Sequence, residues 1–151
     1  MKSIGSACLC VTFTWCALAG TLSVPFWLDD SSDSWTDGFP SDENQTATFI
    51  GVRNNTGAPL TITVTYADPD ATDRTPFANT FTLQPGQGVS YRPVIDDTIQ
   101  EDAAARAVPN KNGGLPRGSS RYTWVGADSD VSVRVYEKHG ARTVCMSTIT
   151  R

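Results

Sequence analysis

Residues 48–66 read TFIGVRNNTGAPLTITVTY and carry the clearest structural pattern in the chain. From residue 60 to residue 66, apolar residues alternate with threonine, and this period of two is typical of a strand that buries one face. Residues 47–53 form a second apolar run. Between the two runs, residues 54–59 are rich in Asn, Gly and Pro, which favour a turn. The stretch therefore predicts two strands joined in a hairpin.

Short strand patterns separated by turn residues continue through the rest of the chain. They lie at residues 77–83, 89–94, 121–125, 131–136 and 141–149. His139 and Gly140 separate the last two, and Gly140 suits a turn position with positive φ. With the opening pair, these patterns predict an all-β, antiparallel sandwich of about seven strands over residues 46–151.

One piece of this domain has a recognisable form. Residues 81–87, FTLQPGQ, lead into the alternating residues 89–91, VSY. This piece resembles bacterial secreted Ig-like β-sandwich modules, in which a strand ends in a Leu-x-Pro-Gly-x turn and an alternating strand follows. The NNTG turn at residues 54–57 fits the same family, and the resemblance covers residues 46–92. It implies an Ig-like sandwich and transfers no catalytic residue, since those modules share none.

The N-terminus is predicted to be a signal peptide, residues 1–19. Lys2 precedes an apolar run, and Ala17-Leu18-Ala19 has the small-x-small pattern of a cleavage site, so we expect cleavage after Ala19. This predicts a secreted, extracellular or periplasmic protein. The alternative is an uncleaved leader that anchors the chain in a membrane.

Residues 20–45 are predicted to form an acidic, flexible segment before the domain. Their first part, residues 22–28, alternates like a strand, and Pro25 would confine such a strand to a sheet edge. The strand could pair with its own sheet or with a neighbouring molecule, and the alternative is that this stretch is only the tail of the leader region. Pairing within the chain is favoured, because it has the higher effective concentration.

Residues 95–120 form a long loop, in which residues 96–107 have the charge pattern of a helical turn. A loop of this length is typically functional or disordered, and the alternative is a crossover between two sheets. Four cations lie in it or next to it, and two tryptophans of the N-terminal segment complete the candidate partner or ligand surface. These residues are Trp27, Trp35, Arg106, Lys111, Arg117 and Arg121.

Few residues suggest metal, thiol or glycan chemistry. Asp68, Asp70 and Asp73 could supply oxygens to calcium, but such clusters more often form Asx turns, here with Arg74 as a counter-charge. Beyond this weak calcium signal we expect no cofactor.

Cys145 is the only cysteine after the leader and is expected to be a small buried side chain, with an intermolecular disulfide or a reactive thiol as alternatives. Asn44 and Asn54 begin N-x-Thr sequons.

The sequence shows no catalytic constellation, and we expect a non-enzymatic protein. His139 is the only histidine, and a tight turn does not orient an imidazole for catalysis. The net charge of −4 argues against nucleic acid as a partner. We favour a structural or adhesion-type surface domain that acts through protein contacts. The alternative is a module for glycans or other ligands that uses the 95–120 loop and exposed rings among Trp27, Trp35, Tyr91, Tyr122 and Trp124.

Overall fold

The structure, a computed structural model, describes residues 18–31, 40, 44–140 and 142–149, the last range for its backbone only. Two antiparallel sheets of four strands each form the domain, in the orders β1-β6-β3-β4 and β5-β2-β7-β8. The strands are β1 (Ala19–Leu28), β2 (Thr46–Asn54), β3 (Leu60–Ala67), β4 (Thr80–Leu83), β5 (Gly88–Tyr91), β6 (Arg117–Val125), β7 (Val131–His139) and β8 (Arg142–Ile149). A 3-10 turn, Asp128–Asp130, precedes β7. None of the helices in the described residues is long and apolar enough to cross a membrane.

The all-β, antiparallel architecture is confirmed, but the opening hairpin is wrong. β2 pairs with β5 and β7 in the second sheet, whereas β3 pairs with β4 and β6 in the first. The turn residues after Asn54 therefore carry the chain from one sheet to the other. The predicted hairpin between β7 and β8 is confirmed, and Gly140 has a φ of 50° at its turn.

The two sheets have equivalent connectivity. When the two strand orders are written side by side, the strands at equivalent places differ by four in their chain number. Thus β1 corresponds to β5, β6 to β2, β3 to β7 and β4 to β8. Strands that follow each other in the chain consequently change sheets at most connections, and most pairings join distant segments.

β1 belongs to the sandwich, which corrects the prediction of a flexible segment for its part of residues 20–45. It pairs antiparallel with β6 at the edge of the first sheet, so the chain closes on itself. The register shifts between Val24 and Trp27, around Pro25. Because of this bulge, Trp27 is 0% exposed, while Phe26 points outward and is 56% exposed.

The core lies between the sheets and includes a buried network of tyrosine hydroxyls. Tyr91 on β5 is 2.9 Å from Tyr66 on β3 and 2.6 Å from Tyr122 on β6, measured between hydroxyl oxygens. Tyr66 also donates to the carbonyl of Pro109 at 2.8 Å. Burial raises the pKa of the Tyr122 hydroxyl to about 12, so the network stays protonated. These hydrogen bonds link the two sheets, and they give partners to buried hydroxyl groups that would otherwise lack them.

The segment after β5 is fixed to the domain by buried charges. Arg92 is 0% exposed and donates through Nε to both oxygens of Asp29, at 3.1 and 3.2 Å. Glu101 accepts hydrogen bonds from the backbone of Arg92 and of Asp97. The helical turn expected in residues 96–107 is present as two single turns, in which Glu101 N–H donates to the Asp97 carbonyl at 2.9 Å and Arg106 N–H to the Asp102 carbonyl at 3.1 Å, and neither continues into a helix.

Candidate functional site

A groove of about 490 Å³ lies along the outer face of the first sheet. Its floor comes from β1, β3 and β6, and the loop after β3 forms its wall. It is lined by Ser23, Val24, Pro25, Thr65, Tyr66, Ala67, Ala71, Asp73, Thr75, Ser119, Ser120 and Arg121. We call it the hydroxyl groove.

Arg121 lies in the middle of the groove floor. In the strand register it is opposite Ser23 on β1 and opposite Thr65 on β3. All three residues are exposed, because outward positions alternate with buried ones along each strand. Neighbouring strands are about 4.8 Å apart, so Arg121 lies between the two hydroxyl-bearing residues in a row of three strands about 10 Å wide. Arg121 forms no salt bridge with any residue that the structure describes.

Two ion pairs, one buried and one partly exposed, hold the wall of the groove in place. Asp68, at the start of the wall loop, is 2.7 Å from Arg74 Nε and 2.7 Å from Lys111 Nζ. Hydrogen bonding to Lys111, with a further contribution from Arg74, lowers the pKa of the Asp68 carboxyl. The Lys111 ammonium also donates to the carbonyl of Leu115. The wall is thus attached to the 95–120 segment through charges inside the protein.

Asp70 and Asp73 form Asx turns, which is the alternative to calcium binding that the sequence left open. Each accepts a hydrogen bond from the backbone N–H two residues later, at 3.0 Å from Thr72 and 2.9 Å from Thr75. The pKa of both carboxyls is lowered, that of Asp70 chiefly by the backbone bond from Thr72 and that of Asp73 chiefly by hydrogen bonding to the Thr75 side chain, with the backbone bond second. The described residues contain no group of three or more His, Cys, Asp or Glu side chains arranged to hold a metal ion.

Ala71 in the wall adopts an unusual backbone conformation. Its φ is 67°, the only positive φ of a non-glycine residue within the described part of the chain. Its N–H donates to the Asp68 carbonyl at 2.9 Å, which closes a tight turn. Strained backbone of this kind persists where surrounding contacts fix it, and it is frequent at functional sites.

The predicted surface residues do not come together. Trp27 is buried in the core with its ring edge against Tyr66, so it cannot form a ligand platform. Trp35 lies outside the described residues. Lys111 is 6% exposed and is occupied by Asp68. The other proposed rings, Tyr91, Tyr122 and Trp124, are also core residues.

The remaining cations divide between the 95–120 segment and the first sheet. Arg106 is half-buried and donates to the carbonyl of Glu101, so it stabilises its own loop. Arg117 and Arg121 are both exposed on β6, and only Arg121 lines the groove. Of the predicted set, the hydroxyl groove therefore contains one residue.

Sequence reasoning missed most of the groove. The outward position of Thr65 follows from the alternation in β3, and that signal was available. The pairing of β6 with both β1 and β3 could not be predicted from the sequence, because no local pattern specifies partners so far apart in the chain.

Two other predicted sites have definite positions. Asn54 is 0% exposed, and its amide donates to the carbonyls of Ala58, Leu83 and Gln84, so the folded protein does not offer this sequon to a glycosyltransferase. Asn44 is exposed. Cys145 lies on β8, whose side chains are outside the described part of the structure.

Comparisons with protein-family models, with curated proteins and with solved structures found no match to this chain.

Proposed function

We propose that the protein is an exported, non-enzymatic binding domain that holds a neutral carbohydrate in the hydroxyl groove. The row of Ser23, Arg121 and Thr65 carries this proposal. Hydroxyl side chains both donate and accept hydrogen bonds, a guanidinium donates several, and the Asp73 carboxylate accepts. The hydroxyl groups of a sugar need such a mixture. The volume of about 490 Å³ also falls within the usual range of ligand sites, about 300–1,000 Å³.

The groove chemistry suits binding better than hydrolysis. Glycoside hydrolases use a pair of carboxyl groups on either side of the bond. Among the described residues that line the groove, Asp73 is the only acid. The proposed activity is therefore retention of a polysaccharide at or outside the cell surface.

The proposed family relationship concerns architecture. Two packed antiparallel sheets support an Ig-like relationship, which rests on the turn motif in residues 46–92. The order β1-β6-β3-β4 differs from the A-B-E-D order of immunoglobulin domains. The relationship that we propose is thus one of sandwich form and not of strand connectivity.

A matched pair of arginines on β6 tests the binding proposal. The purified mature protein is screened against immobilised neutral polysaccharides, and the best ligand is titrated by calorimetry. Arg121→Ala should weaken binding at least tenfold, because it removes the central donor of the row. Arg117→Ala is the control, since Arg117 is exposed on the same strand and does not line the groove. Equal loss in both variants, or no neutral ligand at all, would refute the proposal.

Export is tested separately from binding. Protein recovered from the medium or periplasm of an expressing cell should begin at Gly20, as N-terminal sequencing would show. Protein that keeps Met1 and sediments with membranes would show that the leader is an anchor.

One observation favours the second candidate, adhesion through protein contacts. Phe77 lies between β3 and β4 with a relative exposure of 106%, so its ring contacts almost nothing in its own chain. Exposed aromatic rings frequently anchor protein interfaces. Under this reading, Phe77→Ser lowers attachment of the protein to the surface of its source cells, and prior protease treatment of those cells abolishes it. Under the carbohydrate reading, protease treatment leaves attachment intact.

A further inference from the structure

Two glycines on the second sheet have no role that the fold itself explains. Gly51 lies inside the central strand β2, and Gly88 begins its neighbour β5. Neither has a positive φ. A Cβ added to Gly51 would meet its nearest atom, the Arg134 carbonyl oxygen, at 3.6 Å, and one added to Gly88 would meet Arg53 Cβ at 3.7 Å. Both are ordinary van der Waals distances, so the fold would accept a side chain at either position.

Gly20 shows the opposite case. A Cβ there would lie 2.2 Å from the ring of Trp124, so the core requires glycine at that position. Glycine in a strand weakens the strand, and it often marks a place where a ligand or another backbone approaches closely. By this reasoning, the missing side chains at Gly51 and Gly88 indicate an approach from outside.

The two glycines lie in the floor of one groove. Gly51 is opposite Arg134 on β7, and Gly88 is opposite Arg53 on β2. The groove has a volume of about 320 Å³ and crosses the outer face of β5, β2 and β7. It is lined by Gly51, Val52, Arg53, Gly88, Val89, Ser132, Val133 and Arg134. We call it the glycine groove.

The charge of the glycine groove is entirely positive. Arg53 and Arg134 are both exposed, and of the described residues that line the groove only these two are charged. Neither forms a salt bridge with a residue in the described ranges. This is a local departure from the net charge of −4 of the chain. Two guanidinium groups beside bare backbone form a site for an anion, because arginine binds carboxylate and sulfate oxygens through paired hydrogen bonds.

We propose that the glycine groove binds an acidic sugar residue of a polysaccharide. The ring would lie over Gly51 and Gly88, and its carboxylate or sulfate ester would pair with Arg53 and Arg134. A nucleic acid fits less well, because two cations neutralise little of a dense phosphate backbone and no aromatic side chain of the described lining offers a stacking surface. This site lies on the other sheet from the hydroxyl groove, so it does not depend on the proposed function.

The experiment titrates the mature protein with an oligogalacturonate and with its methyl-esterified form, which has the same rings without the charges. A sulfated oligosaccharide forms a third arm and separates the two acidic groups. We expect binding of at least one acidic ligand and at least tenfold weaker binding of the methyl ester. We also expect acidic binding to weaken strongly between low and physiological salt.

Variants separate charge from shape. The double variant R53Q/R134Q should lose at least tenfold in affinity for the acidic ligand, while R117Q keeps it. Gly51→Val fills the floor without removing a charge and should lose a similar factor. If R53Q/R134Q fails to fold, the pair Gly51→Ala and Gly88→Ala tests the same site, since both positions have room for a Cβ.

Three outcomes would overturn the inference. They are no binding of any acidic oligosaccharide, equal binding of the methyl ester, or full affinity in the folded groove variants. Arg121→Ala should leave acidic binding unchanged, so failure of the hydroxyl groove and failure of the glycine groove are distinguishable.

Discussion

Arg92 and Asp29 form an ion pair in which neither side chain has any exposed surface. Asp29 follows β1 of the first sheet, and Arg92 follows β5 of the second, so the pair joins the edge of one sheet to the edge of the other. The guanidinium also donates to the hydroxyl of Ser31 at 2.8 Å and lies 3.7 Å from Asp97. A single buried cation thus organises two carboxylates.

Removing one member of this pair should destabilise the protein strongly. In Asp29→Ala, Arg92 would keep its charge inside the protein without its main partner, and such changes cost about 3–5 kcal/mol. Arg117→Gln is the control, because Arg117 is exposed, and should change stability by less than about 0.5 kcal/mol. Chemical denaturation at pH 8 measures both. An Asp29→Ala protein as stable as the control would contradict this account.

Stability should fall as the pH rises from about 4 to 7. Burial raises the pKa of Glu101 from 4.5 to about 7, and Asp96 and Asp97 add to the effect. Burial also raises the pKa of Asp29 from 3.8 to about 6. The folded state therefore keeps protons in a range where the unfolded chain has lost them, which favours unfolding as the pH rises.

We expect a loss of roughly 2 kcal/mol between pH 5 and pH 8 from Glu101. Glu101→Gln should remove most of this slope and leave only the part below pH 6 that belongs to Asp29. Denaturant midpoints at several pH values provide the measurement. A stability that is flat or rising over this range would show that both carboxylates are ionised without penalty.

Asn54 should be much more sensitive to substitution than its neighbour Asn55. Its amide faces three backbone carbonyls, and its own carbonyl accepts from Thr56 N–H at 2.8 Å. Asn54→Asp would point an acceptor at those carbonyls and should cost about 3 kcal/mol or more. Asn55→Asp, at an exposed position, should stay within about 1 kcal/mol. Equal melting temperatures for the two variants would be inconsistent with this role.

Ala71→Gly should stabilise the protein. Alanine at a φ of 67° is strained, and glycine adopts that conformation without a Cβ penalty. The strain of about 1–2 kcal/mol exceeds the entropic disadvantage of glycine, so a gain of about 0.5 kcal/mol is expected. Ala78→Gly, at an exposed loop position with ordinary φ, should lose about that amount instead. Thermal unfolding would settle the sign.

Local patterns predicted strands well and their partners poorly. The alternation from Leu60 to Tyr66 gives β3 and its buried face correctly. The turn after Asn54 suits a hairpin and an inter-sheet connection equally, because both need the same residue types. The pairing of β2 with β5 and β7 decides between them, and that pairing depends on residues far along the chain.

Single residues mark the other limits of sequence reasoning. In the alternation of residues 22–28, Phe26 falls on the same side as Leu22 and Val24, but the bulge at Pro25 exchanges its position with that of Trp27, which is the buried residue. Lys111 is buried because it pairs with Asp68, and Arg92 because it pairs with Asp29. No local sequence pattern predicts such partners. Some of the charged residues proposed for a binding surface, such as Lys111, therefore stabilise the fold instead.

The equivalent connectivity of the two sheets has a consequence for how the chain folds. β1 pairs only with β6, and the central strand β2 needs β7, so neither sheet can close until the last third of the chain has been made. Such distant pairings fold slowly, because loop closure must precede the contacts that reward it. The nascent chain consequently carries β1 without its partner strand until β6 has been made, and exposed strand edges of this kind are prone to aggregation.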